Sequence, residues 1–214
     1  MPLSYSTGIV HFRLGQIQAR ILQDYTGANK SYEAALKSNP SQSLINKINL
    51  QVGEMLLLSG NFKEAEKYYK PVSNQNIEKN TVQYLKSLLF HQNIDKAISF
   101  LDSVITELNP NHILFNDLLE IHDLLISNYV DGTKDDKLAL KLFFNAESLI
   151  YQNKNSEALS ILEKIFSQHP DALIRPLSSL RLAILLTEFK KFDKASKIAL
   201  SIENSYLKDQ ALAL

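Results

Sequence analysis

Cysteine and tryptophan are absent from this 214-residue chain, and glycine and proline occur only six times each. Without a thiol there is no disulfide, no zinc-thiolate site and no cysteine nucleophile. Without tryptophan, sugar stacking loses its best platform, although nine tyrosines remain. A surplus of charge is also missing, since 23 basic residues balance 23 acidic ones. Proteins that track a phosphate backbone carry a basic excess, so nucleic acid is not expected as the main partner. No apolar run approaches the roughly 18 residues of a membrane span, so no membrane insertion is expected. The opening MPLSYSTGIVHF has no basic segment followed by an apolar one, and so does not read as a secretory signal. A cytoplasmic location follows if Met1 is the native start. A periplasmic one stays open if the chain is part of a longer secreted protein.

What is present is helical. Leucine, isoleucine, lysine, glutamate, asparagine and serine dominate, and apolar residues recur at i, i+3, i+4 and i+7. The stretch GNFKEAEKYY supplies a template: Gly60, Phe62, Ala65, Tyr69. The same spacing returns at Gln92, Ile94, Ala97, Leu101, at Asn153, Asn155, Ala158, Leu162 and at Lys190, Phe192, Ala195, Ala199. Ala28 and Tyr32 keep its last two places. The anchor alanines lie 37, 32, 61 and 37 residues apart, a period that signals stacked helical hairpins. Twelve residues before four of them stand Gly53, Leu85, Ala146 and Ala183, three of them small. Antiparallel helices approach closely only where small side chains meet, so each such pair predicts a crossing point. The residue opening each template predicts a left-handed helix cap, and the aromatic two places later a plug beside the turn.

This pattern resembles the tetratricopeptide repeat family. Gly53, Phe62, Ala65 and Tyr69 fill one unit of that motif. Ala28, Tyr32, Ala35 and Pro40 fill the second half of another; Ala146, Ala158 and Pro170, then Ala183, Phe192 and Ala195, match two more. The unit around Leu85 departs from it, and the family's tryptophan is missing throughout. The resemblance implies an all-α fold, a right-handed α-solenoid of antiparallel helix hairpins, with three hairpins over 1–110 and two over 135–214 plus the start of a further helix. Between Ala97 and Ala158 the phase breaks by about 27 residues beyond a 34-residue unit. Residues 111–134 are therefore read as a solitary inserted helix and loop, whose wide apolar face predicts neighbours on two sides. FNDLLEI followed by LKLFFNAESLIYQNKNSEALSILEKI also looks like long repeat proteins of Bacteroidota-type bacteria, a looser likeness.

No motif for chemistry emerges. No phosphate loop, dinucleotide fingerprint, nucleophile elbow or HExxH pair is present, so no catalytic residue, cofactor or metal is expected. His122, between Glu120 and Asp123, has only His112 as a second ligand within reach of its sequence. The loop VDGTKDD lacks the order of a calcium loop and reads as a turn with an N-cap aspartate. His169, before Pro170, reads as a cation at a helix end.

The family binds peptides along the concave face of its first helices. Carried over, that face comprises Lys47, Leu50, Glu54, Leu57 and Leu58, then Lys79, Val82, Lys86, Leu89 and Phe90. Phe143, Glu147, Ile150 and Tyr151, and Leu180, Ile184, Thr187 and Glu188, complete it. Lys47, Glu54, Lys79, Lys86, Glu147 and Tyr151 are the candidate contacts, because their side chains are polar. The family's carboxylate clamp is not implied: its slots hold Leu50, Glu54, Val82 and Lys86. The expected function is a non-enzymatic scaffold for a protein or peptide segment. The alternative is a structural module that self-associates through the apolar end YLKDQALAL, residues 206–214.

Overall fold

The computed structural model describes residues 5–69 and 77–202, the side chains of 5, 6 and 77–79 excepted. Among these residues there are eleven α-helices and no strand. In order they are α1 (Tyr5–Arg20), α2 (Tyr25–Leu36), α3 (Gln42–Leu58), α4 (Phe62–Tyr69), α5 (Ile77–Phe90), α6 (Ile94–Glu107), α7 (Phe115–Leu125), α8 (Lys134–Tyr151), α9 (Asn155–Gln168), α10 (Arg175–Glu188) and α11 (Phe192–Leu200). A π-helical turn, Ile126–Val130, extends α7. The chain divides between His91 and Gln92 into two compact units.

In unit 1, α1 packs on α2 and α3 on α4, with α3 also against α1 and α2, and α5 against α4. In unit 2, α7 lies on α6, its π-helical turn meets α8, and the pairs α8/α9 and α10/α11 stack through α9 and α10. Within each unit, each helix thus packs on its chain neighbour, as the hairpin periodicity requires.

The turns explain the template. Gly60, Gln92, Asn153 and Lys190 all have positive φ, between 57° and 82°. Each stands five residues before its anchor alanine. The next amide donates back across the turn: Asn61 N to Leu56 O, Lys154 N to Leu149 O and Lys191 N to Leu186 O, each 2.8 Å. That six-to-one bond is a Schellman closure, and it needs the left-handed residue just before it. Gln23 (φ 53°) holds the same place before Ala28. Its turn is wider, since Asp24 N reaches Gln18 O at 2.9 Å, and the Asp24 carboxylate caps α2 through Gly27 N at 2.9 Å. The extra residue shifts the small crossing residue of α1 to Gly15.

All five anchors, Ala28, Ala65, Ala97, Ala158 and Ala195, are buried. A methyl added to Gly53 would lie 2.7 Å from the Tyr69 ring, and one on Gly15 2.6 Å from the Tyr32 ring. The small residue therefore receives the side chain four places beyond the anchor, which the sequence pattern had not specified. The aromatic plug holds for Phe62, whose ring meets Phe90 edge-on at 5.4 Å, and fails for Phe192, which is exposed.

Candidate binding faces of the first helices

Lys47 sits at mid-helix in α3 with its side chain in solvent. Two turns on, Glu54 is engaged: its Oε2 takes Arg20 Nη2 at 2.7 Å and Gln51 Nε2 at 3.3 Å. Gln16 Nε2 donates in turn to Gln51 Oε1 at 3.3 Å. These four side chains tie α1 to α3 across the face where a ligand was expected. In unit 2 the same occurs. Glu147 of α8 receives Arg181 of α10 through two parallel bonds, 2.6 and 2.9 Å. Such a fork is stronger and better oriented than a single contact. Asn155 Nδ2 adds a bond to Glu188 Oε2 at 3.1 Å.

Lys86 and Tyr151 are half-buried and each has an interaction of its own. The Lys79 side chain lies outside the described residues, as does the segment 206–214. Of the apolar positions, Leu57, Leu89, Phe143 and Leu180 are buried in packing, while Leu50, Leu58, Val82, Phe90, Ile150 and Ile184 are partly exposed. The face is thus a set of helix-to-helix rungs with lysine at its margin. Sequence reading missed the rungs, yet both join residues 34 apart, the length of one repeat.

Outside this face, three groups have displaced acidities. Burial pushes the Tyr32 phenol up to about 12, with Arg20 working against the shift and Glu54 adding to it. Its hydroxyl is buried with no hydrogen-bond partner. Burial also raises Tyr129, and the nearby Asp95 carboxylate, 3.3 Å from its hydroxyl, reinforces this. Asp136 is held below the usual carboxylate range, first by the Leu173 amide at 2.9 Å and then by Thr133. Here the expected N-cap aspartate is corrected. Thr133 caps α8, its hydroxyl accepting from Asp136 N at 3.2 Å, and Asp136 Oδ2 answers by taking Thr133 N at 2.9 Å. Threonine has the short hydroxyl and extended backbone of a cap, and an acid three residues on completes the box. His169 stands at the C-terminal end of α9, where the sequence placed it, and is buried, its Nδ1 2.7 Å from Asp135 Oδ1.

Among the described residues no three histidine, aspartate or glutamate side chains gather as metal ligands. His122 Nε2 lies 2.9 Å from Asp102 Oδ1, while His112 Nδ1 accepts the Leu114 amide at 3.2 Å. The two histidines serve separate local contacts. No described helix is long and apolar enough to cross a membrane.

The hairpin α1/α2 carries the left-handed turn, the buried alanine and the glycine–tyrosine crossing in one continuous stretch. Residues 10–41 match the tetratricopeptide repeat family model. The tetratricopeptide match covers Gly15, Gln23, Ala28, Tyr32 and Ala35, and a left-handed residue five places before a buried alanine recurs in α3/α4, α8/α9 and α10/α11. No curated protein matches the chain.

Proposed function

We propose that the chain is a non-enzymatic scaffold that binds a protein or peptide segment along the face of its first helices. The observation that carries this reading is the tetratricopeptide match at residues 10–41, joined to the same hairpin geometry in both units. That family generally serves as a non-catalytic interaction scaffold. Lys47 of α3 and Lys86 of α5 supply cationic groups in unit 1, while the Glu54 rung ties α1 to α3 and the Glu147 rung ties α8 to α10. The contact is therefore with an acidic, partly apolar segment. The balanced total charge argues against nucleic acid. The likeness to Bacteroidota-type arrays belongs to the same reading and rests on sequence alone.

The test is selection of peptides from a displayed random library on the immobilised chain. Enriched peptides should be acidic, and Lys47→Glu with Lys86→Glu should weaken them by about tenfold or more. Enrichment of peptides insensitive to both changes would remove the face from consideration. The second reading, a structural module that self-associates through residues 206–214, draws on the apolar pattern Leu207, Ala211, Leu212, Leu214. A concentration-dependent dimer in light scattering, abolished by Leu212→Glu, would favour it.

A further inference from the structure

The side of α1 turned away from α2 is apolar and open. Val10, Leu14, Ile17 and Ile21 recur at spacings of four, three and four, a helix-pairing seam, and all four are exposed. Ile9 and Leu22 extend the patch. Isolated exposed apolar residues are ordinary, but a continuous stripe on a folded surface marks an interaction site.

The repeat itself reveals what such a stripe is for. Aligning the crossing residues Gly15, Gly53 and Ala183 places Val10, Leu14 and Ile17 in register with Ile48, Val52 and Met55 of α3, and with Ser178, Leu182 and Leu185 of α10. In α3 these positions are 0%, 7% and 5% exposed, whereas in α1 they are 64%, 43% and 48% exposed. The three in α10 are buried as well. In both cases the preceding hairpin's second helix packs there, α2 on α3 and α9 on α10. α8 packs on the π-helical turn instead and carries Lys141, Asn145 and Ser148 in that register. α5, on which α4 packs, carries Asn80, Tyr84 and Ser87 there; α1, like α3, is apolar at all three places.

Charge selects the occupant. α1 contains His11, Arg13 and Arg20 and no carboxylate. Arg20 is already paired with Glu54 at 2.7 Å, so the charge left beside the seam is that of Arg13, and two parallel copies of α1 seam to seam would set Arg13 against Arg13, which disfavours self-pairing. We propose that the outward face of α1 docks an acidic amphipathic helix of a partner protein, in the place that α2 takes on α3. This surface is distinct from the first-helix face described above, whose lysines Lys47 and Lys86 lie on α3 and α5.

A probe helix of about three heptads, with leucine and alanine on its seam and glutamate on its flanks, tests this on the full chain. A counterpart with lysine for glutamate is the control. The acidic probe should bind and slow amide exchange in α1, and the lysine probe should bind about tenfold more weakly. Val10→Lys with Ile17→Lys should abolish binding, and Arg13→Glu should reverse the preference. Because these positions are exposed, circular dichroism melts of the variants should match wild type, and Lys47→Glu should leave the probe's protection of the α1 amides unchanged. Equal binding of both probes, no binding of the acidic one, or binding indifferent to the Val10 and Ile17 changes would overturn the proposal. So would a dimer in sedimentation that Val10→Lys dissolves, since a second copy would then be the occupant.

Discussion

Unit 1 closes its hairpins with glycine against tyrosine, whereas unit 2 uses alanine against smaller aliphatic side chains. Gly15 receives Tyr32 and Gly53 receives Tyr69. The corresponding pairs in unit 2 are Ala146 with Leu162 and Ala183 with Ala199, all buried. At Gly15/Tyr32, Gly53/Tyr69 and Ala146/Leu162 a small residue on one helix stands against a large one on the other, whereas Ala183/Ala199 is small on both sides, so the repeat specifies a close crossing and leaves the identity of either residue free. The cost of the tyrosine solution is a polar tip. Tyr69 donates its hydroxyl to Leu50 O at 3.2 Å, while Tyr32 leaves its own unpartnered. Unit 2 instead buries a carboxylate, Asp136, and partners it fully.

Several substitutions press on that difference. The largest effect belongs to Tyr69→Ala, which empties the crossing and should cost about 3–5 kcal/mol in chemical denaturation. Gly53→Ala alone should cost about 1–3 kcal/mol by overpacking. Adding Tyr69→Leu to Gly53→Ala converts the crossing to the unit 2 type, and a double-mutant cycle should return a favourable coupling of about 1 kcal/mol or more. Additive losses would mean that volume exchange is not what the two residues share.

Asp136→Asn should destabilise unit 2 by roughly 1–2 kcal/mol, through the lost box and the stranded Leu173 amide. Because its folded acidity lies below the ordinary value of 3.8, its contribution is present above that value and vanishes as pH falls through the folded one. The stability gap between wild type and variant should therefore close below about pH 4. Tyr32 acts at the opposite end. Its phenol is raised from 10.0 to about 12, so its stabilising share is complete below pH 10 and lost as pH rises toward 12. Tyr32→Phe should flatten that alkaline loss and, by removing an unpartnered hydroxyl, leave neutral stability unchanged or raise it by about 1 kcal/mol. Hydrogen exchange followed by region would assign the Asp136 acid loss to unit 2 and the Tyr32 alkaline loss to unit 1.

The smallest effects lie in the turns. Gln92→Gly, Asn153→Gly and Lys190→Gly should each stabilise by at most about 1 kcal/mol, asparagine least, because glycine relieves the left-handed strain. Gly60→Ala should lose a similar amount. Thermal melts that rank these in the reverse order would contradict the shared role of the five turn residues.

The hairpins, their turns and the alanine anchors were legible in the sequence because each depends on residues within a few places of one another, repeated in phase. Ala158 announces its own turn through Asn153 five residues earlier. The rungs were not legible. Glu54 and Glu147 had the polarity of ligand contacts, and only the placement of Arg20 and Arg181 one repeat away turned them inward. Thr133 took the cap that an aspartate was expected to hold, and Asp136 serves two partners, Thr133 N through Oδ2 and Leu173 N, 37 residues away, through Oδ1.

By itself, then, the sequence determined the all-helical fold and the positions of its turns and crossings, since backbone sterics and side-chain volume act locally and the period multiplies them. Tertiary structure alone decided which polar groups remain available. A charged side chain reaches far enough to choose among partners, and that choice is made only when another repeat brings one to within 3 Å.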